Sequence, residues 1–136
     1  MNSFSMRFLS DYNMEGHAKA LWKTLQQDGW LELLPLNLLL FKDAGLDEDM
    51  SDRDLWRYVQ ENRIILLTGN RSNNDADSLQ QTMDDENTPT SLPVLTIANL
   101  DNVRKYRFYR ERCAERIAEI VFDLDNYLGS ARVFIP

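Results

Sequence analysis

The sequence predicts an α/β fold, in which helices cover both faces of a mostly parallel sheet of four or five strands in a three-layer α/β/α arrangement. Short apolar runs alternate along the chain with segments of helical periodicity, which is the pattern of strands joined by crossover helices. The run at residues 64–68 is uninterrupted and aliphatic, as in a strand covered on both faces. The 136 residues, of which 43% are hydrophobic, suit a single domain over residues 1–136 with its own core.

The first predicted strand and helix occupy the start of the chain. Residues 7–10 form a short apolar strand, and the polar residues 11–13 follow it as a loop or helix start. Apolar side chains recur at helical spacing over residues 14–27. Asp28 and Gly29 then end that helix.

The next predicted elements lead to the most apolar strand. Residues 31–41 are rich in leucine and are predicted as a buried strand, and residues 42–49 are a polar connection. Ser51 has the character of an N-cap, with acidic residues in the first turn of the helix that it begins. The apolar stripe of this helix leads into the strand at residues 64–68.

The second half of the chain begins with a polar segment. Residues 69–93 are predicted to form a loop over the site, with one short helix near residues 76–83. Residues 94–98 form the next strand. Apolar side chains then keep helical spacing over residues 100–124, which predicts one helix of about seven turns. Residues 132–135 add an edge strand.

Acids and amides follow three of the predicted strands. Parallel strands place their carboxyl ends at one edge of the sheet, and functional sites lie beyond that edge. The side chains expected there are Asp11, Asn70, Asn74, Asp75, Asp77 and Asp101. Asp52 and Asp54 join them if the helix that Ser51 begins starts on the same side. Converging carboxylates repel one another unless a cation lies between them, and bound Mg²⁺ or Mn²⁺ can hydrolyse phosphodiesters without a Ser, Cys or His nucleophile. The alternative is that these residues only form turns and helix caps.

The composition limits the other functional classes. Fifteen Lys and Arg stand against 22 Asp and Glu, so the net charge is −7 and the chain as a whole is repelled by phosphate backbones and anionic membranes. One cysteine and one histidine exclude an internal disulfide and a Cys/His zinc site. No nucleotide-binding, esterase or zinc-protease motif is present. The absence of a long apolar run and of a signal-peptide pattern predicts a cytoplasmic protein without a membrane partner.

One basic segment contrasts with this acidic chain. Between residues 104 and 116, six Arg and Lys stand against two Glu. Arg104, Lys105 and Arg107 have aromatic side chains between them, a combination that can hold a nucleic-acid strand by phosphate contact and base stacking. The alternative is a solvated helix face whose cations pair with its own glutamates.

Three segments of the first half resemble the PIN-like nuclease domains, in particular their small single-domain bacterial branch of uncharacterised function. These segments are Phe-Leu-Ser-Asp-Tyr-Asn at 8–13, Ser-Asp-Arg-Asp-Leu at 51–55 and Asn-Arg-Ile-Ile-Leu-Leu-Thr-Gly-Asn-Arg at 62–71. Asp11 and Asp52 match the acidic ligands of that family, and Asn13 matches the amide beside the first of them. Tyr12 replaces the adjacent Glu, and the positions of Asn70 and Ser72 are filled by Asp in the family.

The resemblance implies a PIN-like fold and a metal-dependent ribonuclease that uses Mg²⁺ or Mn²⁺. Asp11, Asp52 and one of Asp75 or Asp77 would hold the metal, and Asn70 would orient a water or a ligand. The implied catalytic residues are thus Asp11, Asp52, Asn70 and Asp75, with phosphate held by Arg104, Lys105 and Arg107.

Two functions follow as alternatives. The first is phosphodiester hydrolysis on RNA, with the toxin of a toxin–antitoxin pair as one form and an antitoxin-like protein as its partner. The second is a catalytically degenerate PIN-like scaffold that binds protein or RNA. The second is favoured by the net charge of −7 and by Asn70, which stands where the family has Asp. The first is favoured by the converging acids and by the basic segment. Homodimer formation is left open.

Overall fold

Five parallel strands form the centre of the computed structural model, which describes residues 5–71 and 75–136. The strands are β1 Met6–Ser10, β2 Leu36–Leu39, β3 Ile65–Thr68, β4 Val94–Ile97 and β5 Arg132–Ile135. Their order across the sheet is β2-β1-β3-β4-β5, and Leu9 of β1 lies opposite both Leu39 and Leu66. The chain therefore leaves β1 toward one edge of the sheet and returns on its other side at β3, which opens a crevice beyond the carboxyl ends of β1 and β3.

Helices cover both faces of this sheet, which confirms the predicted three-layer α/β/α fold. The helices are α1 Glu15–Gln27, α2 Trp30–Leu33, α3 Phe41–Ala44, α4 Asp52–Glu61, α5 Leu79–Glu86, α6 Leu100–Lys105 and α7 Arg107–Phe122, with 3-10 turns at Tyr12–Met14 and Leu124–Asn126. Alternate strand residues face opposite sides, as the two-residue period of a strand requires. Phe8 and Leu67 pack with α1 and α7 in one core cluster, whereas Leu9 and Leu66 pack with α4 and α5 in the other.

Most of the elements predicted from the sequence are confirmed. The strands expected at 7–10, 64–68, 94–98 and 132–135 correspond to β1, β3, β4 and β5, and the expected short helix corresponds to α5. Ser51 caps α4 as predicted, since its Oγ accepts the backbone N–H of Asp54 at 3.0 Å. None of the helices in the described part of the chain is long and apolar enough to cross a membrane.

The prediction of a single strand over residues 31–41 is wrong. Gly29 takes a left-handed conformation with φ of 84°, and the chain turns there from α1 directly into α2. Leu34 ends α2 in an extended conformation, because the residue before Pro35 is disfavoured in a helix. Only β2 remains as strand, and α3 occupies the start of the segment 42–49 that was expected to be a plain connection.

The prediction of a single helix over residues 100–124 is also wrong, because this segment forms the two helices α6 and α7. Tyr106 is extended, with φ of −126° and ψ of 117°, and separates α6 from α7. Arg110 Nη1 donates to the carbonyl oxygen of Val103 at 2.8 Å and so provides a partner for the last turn of α6. The apolar spacing runs across this break because Val103 and Cys113 both belong to the same core cluster.

Candidate active site

A cleft of about 270 Å³ opens beyond the carboxyl ends of β1 and β3, where the strand order reverses. Its walls come from the segments that directly follow β1 and β3, from the 3-10 turn after β1 and from the first residues of α4 and α6. The lining residues are Asp11, Asn13, Met14, Asp52, Gly69, Asn70 and Leu100. The cleft therefore brings together Asp11, Asp52 and Asn70, three of the residues that the sequence assigns to the site.

Backbone contacts fix the two carboxylates in place. Asp11 directly follows β1, and its N–H donates to the carbonyl oxygen of Leu67 at 2.9 Å, which ties this residue to β3 beyond the end of the regular ladder. Asp52 is the first residue of α4, whose start is set by the Ser51 cap. Both carboxylates therefore project from the ends of regular elements, where small changes in the loops do not displace them.

Two side chains after β3 connect the carboxylates. Thr68 is fully buried, and its Oγ1 donates to Asp11 Oδ2 at 2.8 Å while it accepts the backbone N–H of Asn70 at 2.9 Å. Asn70 Nδ2 in turn donates to Asp52 Oδ2 at 3.0 Å. A continuous chain of hydrogen bonds thus runs from Asp11 through Thr68 and Asn70 to Asp52.

Burial raises the pKa of the Asp11 carboxyl above its ordinary value. The hydrogen bond from Thr68 opposes this rise, and the charge of Asp52 adds to it. The ionised form of Asp11 is therefore held in an environment that disfavours it. A raised carboxyl pKa in a cleft, next to a second acid, is typical of a functional site.

Asp75 and Asp77 contact other parts of the molecule. Asp75 Oδ1 accepts the backbone N–H of Asp77 at 2.9 Å, and Asp77 Oδ1 lies 3.0 Å from Arg53 Nε. Neither residue belongs to the lining of the cleft. Ser72 and Asn74, the other polar residues that the sequence places after this strand, lie outside the described residues.

A second cleft adjoins the first. It has a volume of about 330 Å³, and its walls include Arg71, Asn99 and Asp101. Gly69 and Leu100 line both clefts, so these two residues form the partition between them. A Cβ atom at residue 69 would lie only 2.5 Å from a methyl carbon of Leu100, so a larger residue there would require the Leu100 side chain to shift. Asp101, one of the acids expected at the site, therefore lies on the far side of this partition.

Arg104 and Lys105 are exposed at the end of α6. Burial lowers the pKa of His17, and the charge of Arg104 lowers it further, so Arg104 lies close to the first turn of α1. The same turn follows Met14, which lines the cleft. The charge of Arg104 is therefore near the end of α1 that follows Met14.

Arg107 lies at the opposite end of α1. Its Nη2 is 3.9 Å from Asp28 Oδ1, and its Nε donates to Glu111 Oε2 at 3.1 Å. Tyr106 and Phe108 flank it with exposed fractions of 57% and 69%, so the aromatic rings of the basic segment are open to solvent. The Arg107 guanidinium thus contacts the carboxyl end of α1, whereas the charge of Arg104 acts on His17 in the first turn of that helix.

The donor set of the cleft fits Mg²⁺ or Mn²⁺. Mg²⁺ binds through one or two carboxylates and keeps several waters, and the cleft offers two carboxylates with an amide oxygen on Asn70. The contribution of Asp52 to the raised pKa of Asp11 is the repulsion that a cation would relieve. Over residues 5–71 and 75–136, no group of three or more His, Cys, Asp and Glu side chains is placed to hold a metal ion. Two carboxylates alone predict weak binding.

Sequence reasoning missed Thr68 and Leu100. Thr68 was counted only as the end of a buried strand, although a hydroxyl at the carboxyl end of an apolar run is itself a signal for a site. Leu100 carries no chemical signal in the sequence, because its role as a partition depends on the packing of α6 against Gly69.

Comparison with known proteins gives no template for these residues. A scan against protein-family models, a search of curated proteins and a search of solved structures each find no match. A function for the chain therefore has to be inferred from the side chains of the cleft and from their chemistry.

Proposed function

We propose that this protein is a PIN-like endoribonuclease that depends on Mg²⁺ or Mn²⁺. The observation that carries the proposal is the meeting of Asp11 and Asp52 in the crevice where the strand order reverses, with the charge of Asp52 adding to the raised pKa of Asp11. The charge of one carboxylate disfavours the ionised form of the other, and a cation bound between them would relieve this repulsion.

Each residue of the cleft has a distinct part in this proposal. Asp11 and Asp52 would hold the cation, which supplies Lewis-acid polarisation of a phosphodiester and a bound water of lowered pKa. Thr68 holds the Asp11 carboxylate in a fixed orientation through its 2.8 Å hydrogen bond. Asn70 would offer its amide oxygen to the cation, while its Nδ2 donates to Asp52.

The remaining sequence-based assignments enter the proposal with different support. Arg104 would neutralise a phosphate of bound RNA, and Lys105 would extend this positive charge, since both side chains are exposed at the end of α6. Asp75 or Asp77 would serve as a third acid only after rearrangement, because Asp77 is paired with Arg53.

Substitution of Asp11 by Asn tests the proposal. The change removes one charge while it keeps the shape of the side chain and an acceptor for Thr68. We expect Mn²⁺-dependent cleavage of a single-stranded RNA to fall by roughly 10²- to 10³-fold, the range for loss of one group that stabilises transition-state charge. Asp125→Asn is the matched control, since Asp125 is exposed in the 3-10 turn after α7 and lines neither cleft. Equal activity of wild type and Asp11→Asn would rule out the assigned role.

A binding module is the second candidate function. The bond from Asn70 Nδ2 to Asp52 favours it, because this amide supplies Asp52 with a neutral partner in place of a cation. In this case the wild type binds RNA or an antitoxin-like protein through the exposed residues near Arg104 and cleaves nothing in either metal. Size-exclusion chromatography with light scattering, run beside the cleavage assay, tests whether a second copy of the chain is also a partner.

A further inference from the structure

The edge strand β5 carries an arginine that reaches the turn after β3. Arg132 Nη1 donates to the backbone carbonyl oxygen of Asn70 and to Thr96 Oγ1, both at 2.7 Å. Its Nε donates to Gln80 Oε1 at 3.1 Å. One side chain therefore joins β5, β4, α5 and the Asn70 turn.

This arrangement is costly for the fold. Nη2 of Arg132 is buried without a hydrogen-bond partner, and the ion pairs found among the described residues do not include Arg132. Burial lowers the pKa of Arg132, and the charge of Arg71 lowers it further. A partly buried cation that has only neutral acceptors and one unsatisfied donor is a poor way to stabilise a sheet edge. The role of Arg132 is therefore better explained by the residue whose position it fixes.

Arg132 fixes the position of Asn70, the residue that connects the two carboxylates. Asn70 uses three of its groups: the carbonyl oxygen accepts from Arg132, the backbone N–H donates to Thr68, and the side-chain amide donates to Asp52. Thr68 in turn donates a hydrogen bond to the Asp11 carboxylate. Of these three contacts, only the one with Arg132 ties Asn70 to a distant strand, since the two residues are 62 positions apart in sequence. Loss of this contact would free the carbonyl group of Asn70 from β5.

We propose that Arg132 is a positioning residue, which fixes the Asn70 turn and through it the relative placement of Asp11 and Asp52. The link to metal binding rests on the proposed function, whereas the positioning of Asn70 does not. Arg132 touches neither carboxylate in the contacts described above, so its effect on them is indirect.

The test compares Arg132→Met, Arg132→Lys and Gln80→Ala. The first removes every contact of the guanidinium, the second keeps the charge but loses Nε and the planar guanidinium that places Nη1 between Asn70 and Thr96, and the third removes only the acceptor of Nε. Amide hydrogen exchange at Asn70, measured by NMR without metal, should become about tenfold faster in Arg132→Met. It should be intermediate in Arg132→Lys and unchanged in Gln80→Ala, with the amides of α1 as the internal reference for global opening.

Mn²⁺ binding, followed by the EPR signal of the free ion, gives the second readout. We expect the dissociation constant to rise about tenfold in Arg132→Met and to change less than twofold in Gln80→Ala. Unchanged exchange at Asn70 in Arg132→Met overturns the proposal. Faster exchange together with a wild type that binds no Mn²⁺ supports the positioning role and overturns the metal-dependent function. If Arg132→Met does not fold, the same two measurements on Arg132→Lys decide.

Discussion

Asp11 is an unfavourable residue for stability and a suitable one for chemistry. Its carboxyl is partly buried beside Asp52, and burial is the main cause of its raised pKa. Thr68 supplies one compensating hydrogen bond, and Asn at this position could accept the same bond. An amide at this position would keep the hydrogen bond without the cost of burying a charge.

Asp11→Asn should therefore stabilise the metal-free protein near neutral pH. The pKa of Asp11 is higher in the folded protein than in the unfolded chain, so the folded protein binds the proton more tightly. Protonation therefore adds stability that is fully present below about pH 3.8, the ordinary pKa of Asp, and is lost as the pH rises through the folded-state pKa. Asp11→Asn removes this loss of stability, which is about 1.4 kcal/mol for each unit by which the folded-state pKa of Asp11 exceeds the unfolded-state pKa. Thermal melts from pH 3 to pH 8 should show a higher Tm for the variant at pH 7 and converging values in acid. A lower Tm than wild type at pH 7 would contradict this account, and Asp125→Asn controls for net charge.

The element that carries Asp52 is held by a cluster of ion pairs. Arg53, the next residue in α4, donates to the carbonyl oxygen of Ala76 at 2.6 Å and pairs with Asp77, Asp85 and Glu86. These contacts join the first turn of α4 to α5 and to the turn before it. The start of α4, and with it Asp52, is thus fixed from the solvent side as well as by its Ser51 cap.

Glu86→Gln tests this cluster. Hydrogen bonds from Arg57 and Arg53 lower the pKa of Glu86 to about 2, so its contribution to stability is present above pH 4.5, the pKa in the unfolded chain, and is lost as the pH falls through about 2. We expect a Tm lower by a few degrees at pH 7, with faster amide exchange confined to α5. The difference from wild type should shrink at pH 2 and in 1 M NaCl, where the screening length is about 3 Å. Glu61→Gln, at the exposed end of α4, is the control; an equal effect there would mean that only net charge matters.

Sequence patterns predicted the elements best where a local signal marks their ends. The Ser51 cap and the aliphatic run of β3 have such signals. The break at Tyr106 has none, because neither Gly nor Pro occurs there and the apolar spacing continues past it. The leucine-rich segment 31–41 fits a helix and a strand equally well, and tertiary contacts decide between them.

The whole molecule explains why the site was partly predictable. Once the strands are recognised as parallel, their carboxyl ends must share one edge, and Asp11 and Asn70 follow from that geometry. The strand order decides which ends are neighbours, and no single segment encodes it. Arg132 was beyond sequence reasoning for this reason, since its contact with Asn70 exists only because β5 lies beside β4 and its side chain passes Thr96 to reach the turn.

The net charge of −7 sets the last prediction, because any divalent ion will stabilise an acidic protein to some degree by screening. Specific binding to the folded state raises stability by RT ln(1 + [L]/Kd), or about 2.7 kcal/mol at a hundred times Kd. With only two carboxylates in the cleft, we expect the increase in Tm at millimolar Mg²⁺ or Mn²⁺ and not below. The increase should vanish in Asp11→Asn and persist in Asp125→Asn, while NaCl at equal ionic strength gives the same small shift in all three proteins. Equal shifts of wild type and Asp11→Asn with Mn²⁺ would show that the ion acts on the overall charge and that the cleft holds no cation.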